Sequence, residues 1–324
     1  MNIFLAIIAL VGGFVLLIKG ADWFVEGSSS VAKLLKVPTI IIGLTVVAFG
    51  TSLPEASVSI SSALAGKNAL AISNVVGSNI FNTLVVLGAS ALIVPVCVQP
   101  GSIKKDIPFS ILCTIALLGA LLLGMDTVDG VNTYTLGLVG GIVLAALFAF
   151  YMYWQISAAL KARKEGTAGE EEEVKVLSPL KSAIFIVVGV ACIIIGGDLV
   201  VDGASAIALK FGMSETLVGM TIVALGTSLP ELVTSMVAAK KGESDLAVGN
   251  VIGSNIFNIL FVLGFSALIS PMSVNILSVI DTIAVIGVSV LALVFSATGK
   301  KISRVEGGIM LAAYFGYFAY MFVR

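Results

Sequence analysis

One hexapeptide occurs twice in this chain, and its surroundings leave few folds open. Gly-Thr-Ser-Leu-Pro-Glu runs from Gly50 to Glu55 and again from Gly226 to Glu231. Both copies sit inside apolar stretches long enough to cross a bilayer, which takes about 20 residues. Proline lacks an N–H and its ring clashes with the carbonyl four residues back, so it breaks or kinks a helix. Pro54 therefore cannot bond the carbonyl of Gly50, nor Pro230 that of Gly226. A carboxylate within a membrane helix marks a functional site by default. Two of them, in matching positions of two halves, point to a transport site at a repeat interface.

The duplication extends well beyond the hexapeptide. A shift of 176 residues (231 − 55 = 176) carries Gly20 to Gly196, Asp22 to Asp198, Glu26 to Asp202, Gly43 to Gly219, Asn74 to Asn250, Gly77 to Gly253 and Asn82 to Asn258. The chain is 58% hydrophobic and 11% charged, whereas soluble domains are roughly 45–50% apolar and about 25% charged. These values predict an all-α polytopic membrane protein. Its ten transmembrane helices fall at about 3–37, 38–64, 69–92, 107–123, 134–156, 182–209, 214–238, 245–269, 279–295 and 302–322. Asp126 and Asp129 then lie in a turn. Asp22, Glu26, Asp198 and Asp202 lie near helix ends, and the pairs Gly12-Gly13, Gly140-Gly141 and Gly196-Gly197 are close-packing sites.

The halves are 1–157, with its motif region at 38–93, and 181–324, with its motif region at 214–269. A hydrophilic linker at 158–180, bearing Glu170–Glu173, separates them. Five helices per half is odd, so the second repeat enters the membrane inverted, with the broken helices at the midplane. Basic residues support this order. Lys33, Lys36, Lys104, Lys105, Lys161, Lys240, Lys241, Lys300, Lys301 and Arg304 follow odd-numbered helices, and only Lys67, Lys210 and Arg324 fall on the other side. The positive-inside rule then puts both termini outside and the linker in the cytoplasm.

Other classes are poorly served. Net charge is −1 and there is no histidine. No Ser/His pair, HExxH or phosphate loop suggests an enzyme, and nothing suggests nucleic acid or a cofactor. Cys97, Cys113 and Cys192 lack metal or disulfide spacing. The partners implied are the bilayer and the transported ions, and a monomer is compatible with this. A channel would use similar oxygen ligands and is separated from a carrier by counter-transport.

Freed carbonyls, hydroxyls and carboxylates are hard ligands, suited to Na⁺, Ca²⁺ or Mg²⁺. Two close carboxylates repel and require a cation between them. Ca²⁺ takes six to eight oxygens at about 2.3–2.6 Å, and Mg²⁺ sheds water reluctantly. Glu55 and Glu231, with the hydroxyls of Thr51, Ser52, Thr227 and Ser228, supply such a set. Ser78 and Asn82, and likewise Ser254 and Asn258, are four apart and share a helical face.

The paired Gly-Thr-Ser-Leu-Pro-Glu and Gly-Ser-Asn-Ile-Phe-Asn segments resemble the α-repeats of the sodium/calcium exchanger family, most closely its short prokaryotic members. The resemblance implies an antiporter of the prokaryotic inner membrane whose long first and sixth helices slide to switch access. It implies that Glu55 and Glu231 are shared by Ca²⁺ and Na⁺, and that Thr51 and Thr227 serve calcium. The carbonyls of Ala48 and Ala224, with Ser52, Ser228, Ser78 and Ser254, would complete sodium sites. Asn82 and Asn258 would line the middle. Potassium-dependent members carry aspartate where this chain has Asn258, which argues against a potassium requirement. Two carboxylates imply electrogenic Na⁺/Ca²⁺ exchange; Ca²⁺/H⁺ exchange on the same glutamates is the alternative.

Overall fold

The computed structural model describes residues 2–128, 131–165, 176–213, 218, 222 and 224–323. They form a mostly helical polytopic membrane protein. The first half comprises α1 (Ile3–Leu35), α2 (Thr39–Thr51), α3 (Leu53–Leu64), α4 (Asn68–Ile93), α5 (Ser102–Leu123) and α6 (Leu138–Glu165). The second comprises α7 (Pro179–Lys210), α8 (Ala224–Gly226), α9 (Leu229–Lys240), α10 (Ser244–Ile269), α11 (Ile276–Gly299) and α12 (Arg304–Val323). Among the described residues, 7 helices are long and apolar enough to cross a membrane. The α2–α3 pair, bent by 52° at the first hexapeptide, makes an eighth. Residues 214–217, 219–221 and 223 of the 214–238 stretch lie outside the described residues.

The long helices α1 and α7 pack antiparallel along a row of small residues spaced by seven. Gly13 lies against Gly196, Gly20 against Gly189, Gly27 against Ser182, and Gly203 against Ala6. A methyl on Gly13 would stand 2.7 Å from the Gly196 carbonyl oxygen, and one on Gly196 would stand 2.8 Å from that of Gly13. Without a hydrophobic drive between helices in lipid, such close backbone approach supplies the packing energy. Their neighbours Gly12 and Gly197 meet nothing within 4 Å. In these two pairs only one glycine is a packing site, whereas Gly140 and Gly141 both lie against close neighbours, Leu136 and Ala120 on one side and Ala267 and Gly264 on the other.

α1 is 33 residues long, about 50 Å at 1.5 Å per residue, so it overhangs a ~30 Å hydrocarbon core. The overhang corrects the placing of the acids: Asp22 and Glu26 lie within α1, and Asp198 and Asp202 within α7, not at helix ends. Lys241, just past the end of α9, reaches the carboxylate of Asp22 at 2.6 Å and its carbonyl at 3.0 Å. α6 also continues through Ala158–Glu165, where alanine, lysine and arginine favour helix, so the linker begins as helix. Glu170–Glu173 lie outside the described residues.

Short strands correct the all-α expectation. β1 (Val96–Cys97) pairs antiparallel with β5 (Lys301–Ile302). β2 (Met125–Val128) and β3 (Val131–Leu136) form a hairpin, and β3 also pairs with β4 (Met272–Val274). Tyr134 and Asp126 are therefore strand residues, and the next helix starts at Leu138. Asp129 lies outside the described residues. The cause is backbone accounting: within each sheet, neighbouring loops satisfy their N–H and C=O groups on each other.

The packing row gives a paired test. Gly13→Val should destabilise the protein by about 1–3 kcal/mol through overpacking against backbone that cannot move aside. Gly12→Val should change the melting temperature little. Thermal unfolding in detergent distinguishes them.

Candidate cation-binding site

Each hexapeptide breaks its helix at the serine. Ser52 (φ −85°, ψ 8°) separates α2 from α3, and Ser228 (φ −91°, ψ 4°) separates α8 from α9. Pro54 and Pro230 then occupy the second position of the next helix, where a missing N–H costs nothing. Glu55 and Glu231 consequently sit in the first turns of α3 and α9, the positive end of the helix dipole. Both are fully buried (0% exposed).

The two breaks meet in space, and each serine serves the other half's carboxylate. Ser52 Oγ donates to Glu231 Oε1 at 2.8 Å, and Ser228 Oγ donates to Glu55 Oε1 at 2.9 Å. Ser228 Oγ also lies 3.1 Å from Ser78 Oγ. Ser254 Oγ lies 3.4 Å from Glu231 Oε1 and 3.5 Å from the Ala48 carbonyl oxygen. The Thr51 hydroxyl turns toward Asn250 Oδ1 (2.9 Å) and the Val47 carbonyl (3.2 Å).

Asn82 and Asn258 each begin a widened π-helical turn, Asn82–Val86 in α4 and Asn258–Leu263 in α10. Such turns recur at functional sites. Ala48 follows a third, Gly43–Val47, whose Leu44 carbonyl accepts from the Tyr151 hydroxyl at 3.1 Å. Ala224 opens α8; nothing of its side chain falls among the described residues.

Several other polar atoms of these candidate residues have no partner among the described residues. Glu55 Oε2, Glu231 Oε2, Thr227 Oγ1, Asn258 Oδ1 and both ends of the Asn82 amide are buried without a hydrogen-bond partner among the described residues. Neither buried glutamate is in the ion pairs seen among those residues, such as Lys161–Glu165 and Lys241–Asp22. A buried carboxylate without a counter-charge is costly. Two of them, flanked by neutral oxygens, are arranged to receive a cation.

A second layer lies behind residues that the motifs alone do not single out. Asn250 Nδ2 donates to Ser235 Oγ (2.9 Å) and lies 3.4 Å from the Glu231 carbonyl. Asn74 Nδ2 donates to Ser59 Oγ (2.9 Å) and lies 3.5 Å from the Glu55 carbonyl. The 176-residue shift contains the signal, because it maps Ser59 to Ser235 as well as Asn74 to Asn250. These amides tie α3 to α4 and α9 to α10 directly behind the carboxylates.

Comparison with known proteins agrees with this geometry. The model of the family "Sodium/calcium exchanger protein" matches residues 5–157 and 181–323. The chain belongs to the sodium/calcium exchanger family. Relatives include the putative antiporter CaxA of Alkalimonas amylolytica, 41% identical across 96% of this chain and 97% of that one. The sodium/calcium exchanger MaX1 of Methanosarcina acetivorans is 32% identical across 96% of each. Among solved structures, the sodium-calcium exchanger NCX_Mj superposes with a TM-score of 0.81 at 34% identity, covering 98% of this chain and 99% of that one.

For this exchanger-family chain the reciprocal serine bonds can be tested. A hydrogen bond to a charged group contributes about 1.5–3 kcal/mol. Ser52→Ala or Ser228→Ala should therefore weaken Ca²⁺-dependent thermal stabilisation roughly tenfold or more in half-saturating concentration. Glu55→Gln or Glu231→Gln should abolish that stabilisation while leaving the ion-free protein folded.

Proposed function

We propose that this chain is a secondary antiporter that exchanges Na⁺ for Ca²⁺ by alternating access, electrogenically and without K⁺. Membership in the exchanger family supports cation/Ca²⁺ antiport in general. The observation that carries the sodium–calcium reading is the pair of buried carboxylates, each with one oxygen held by the opposite serine and one left open. One Ca²⁺ neutralises two carboxylates, whereas three or more Na⁺ leave the site positive. Each net charge moved is then worth about 2.3 kcal/mol per 100 mV.

In this reading Glu55 and Glu231 bind Ca²⁺ and Na⁺ in turn, and Thr51 and Thr227 complete the calcium site. The carbonyls of Ala48 and Ala224, with Ser52, Ser228, Ser78 and Ser254, form flanking sodium sites; Asn82 and Asn258 line the centre. The amide of Asn258 keeps the acidic count at two, which leaves no third charge for K⁺ to balance.

The proposed frame is ten spans in two inverted five-helix repeats, 1–157 and 181–324, joined by a cytoplasmic linker at 158–180. Both termini lie outside, and the membrane is a prokaryotic inner membrane. The strand pairs favour this order. β1 and β5 come from two loops assigned to the cytoplasm, while β2, β3 and β4 come from two loops assigned outside.

Calcium uptake into proteoliposomes loaded with Na⁺ at matched pH, with K⁺ as control, tests the proposal. Uptake should require internal Na⁺, need no K⁺, rise when an ionophore dissipates the inside-negative potential that exchange builds, and vanish in Glu55→Gln. Uptake driven by a pH gradient alone would replace sodium with protons as the coupling ion.

A further inference from the structure

A small cavity of about 20 Å³ lies between α4, α5, α10 and α11. Its polar lining is Thr83, Ser110, Asn255, Ser289 and Ser296, set among aliphatic side chains. Three hydrogen bonds fix how Asn255 faces it. Thr83 Oγ1 donates to the Asn79 carbonyl at 2.8 Å, which commits its only proton. Asn255 Nδ2 must therefore be the end that approaches Thr83 Oγ1, at 2.9 Å, because an oxygen there would meet an oxygen. Asn79 Nδ2 closes the cycle on the Asn255 carbonyl at 3.1 Å. Asn255 Oδ1 is thereby turned away from the cycle.

Asn255 Oδ1 and Ser296 Oγ are buried with no hydrogen-bond partner among the described residues, and both residues line the cavity. Leaving each bare is costly. A volume of this size holds about one water, provided two to four polar groups converge on it. The lining offers that number and carries no formal charge. An unpaired cation enclosed by neutral hydroxyls and aliphatic groups would be far more costly.

We propose that this cavity is a binding site for one resident water, which donates to Asn255 Oδ1 and bonds Ser296, and that Ser296 and Asn255 are thereby positioning residues for the cation pocket. The link is continuous: the water completes the bonding of the Asn255 side-chain amide, that amide holds Thr83, Thr83 bonds the Asn79 carbonyl, and the Asn255 carbonyl holds the Asn79 amide. Asn79 Oδ1 in turn accepts from Asn258 Nδ2 at 3.2 Å, leaving Asn258 Oδ1 without a partner among the described residues. The positioning role rests on the cation-site reading above; the water itself does not.

A crystal structure of the full chain, at a resolution that shows ordered water, tests the first part. One peak is expected within about 2.6–3.2 Å of both Asn255 Oδ1 and Ser296 Oγ, unchanged when the crystal is soaked in Sr²⁺ or Tl⁺. An empty cavity, or a peak that gains electrons in those soaks, overturns it. Ser296→Val, which fills the cavity with methyl groups, tests the second part. It should remove the peak and raise the half-saturating Na⁺ concentration about fivefold, the size of one neutral hydrogen bond. Ser296→Ala, which removes the hydroxyl but leaves room for the water, should lose less affinity than Ser296→Val. Loss of the water with unchanged Na⁺ affinity would overturn the positioning role while leaving the exchanger reading intact. Absence of any Na⁺ response in the unmodified protein would count against the exchanger reading instead.

Discussion

The structure depends on how two buried carboxylates are made tolerable. Glu55 and Glu231 have no cationic side chain to pair with among the described residues. What they have is the positive end of a short helix, a serine hydroxyl from the opposite repeat, and one open oxygen each. Every other local feature follows from arranging those three. Proline at the second position of α3 and α9 places each glutamate in a first turn. The break at serine frees its hydroxyl to reach across. The amides of Asn74 and Asn250 then hold the helices from behind.

The exchange of hydrogen bonds between repeats has a mechanical consequence. In the proposed cation site neither half is complete, because each carboxylate accepts from the other half's serine hydroxyl. A motion that separates the two breaks would therefore disassemble both sites together. The α1–α7 pair, in contrast, is stitched backbone to backbone by its row of small residues and is suited to move as one piece.

The candidate site is more legible in the sequence than its scaffold. A proline and a carboxylate in hydrocarbon are each expensive, so their recurrence at one offset is enough to mark a pocket. The same offset carries Ser59 to Ser235, yet a serine on a membrane helix also serves simple packing, so that second layer stays hidden in the sequence. Tyr134 departs from the expected helix for a different reason. Val131–Leu136 mixes polar and β-branched residues and pairs both with its neighbour Met125–Val128 and with the distant Met272–Val274, and no strict alternation marks where it ends and the helix begins. Asp22 is misplaced by sequence because apolar length alone does not say how far a helix overhangs. Of Gly12-Gly13 and Gly196-Gly197, adjacency cannot say which member faces the neighbouring helix; the heptad spacing of Gly13, Gly20 and Gly27 can.

The claim on which all of this rests is that one divalent cation sits between Glu55 and Glu231. Long-wavelength anomalous diffraction from crystals grown in Ca²⁺ tests it most directly. The account predicts an anomalous peak about 2.3–2.6 Å from an oxygen of each carboxylate, lost when Na⁺ replaces Ca²⁺. A Ca²⁺ peak elsewhere, or none between the two glutamates at saturating Ca²⁺, would contradict it.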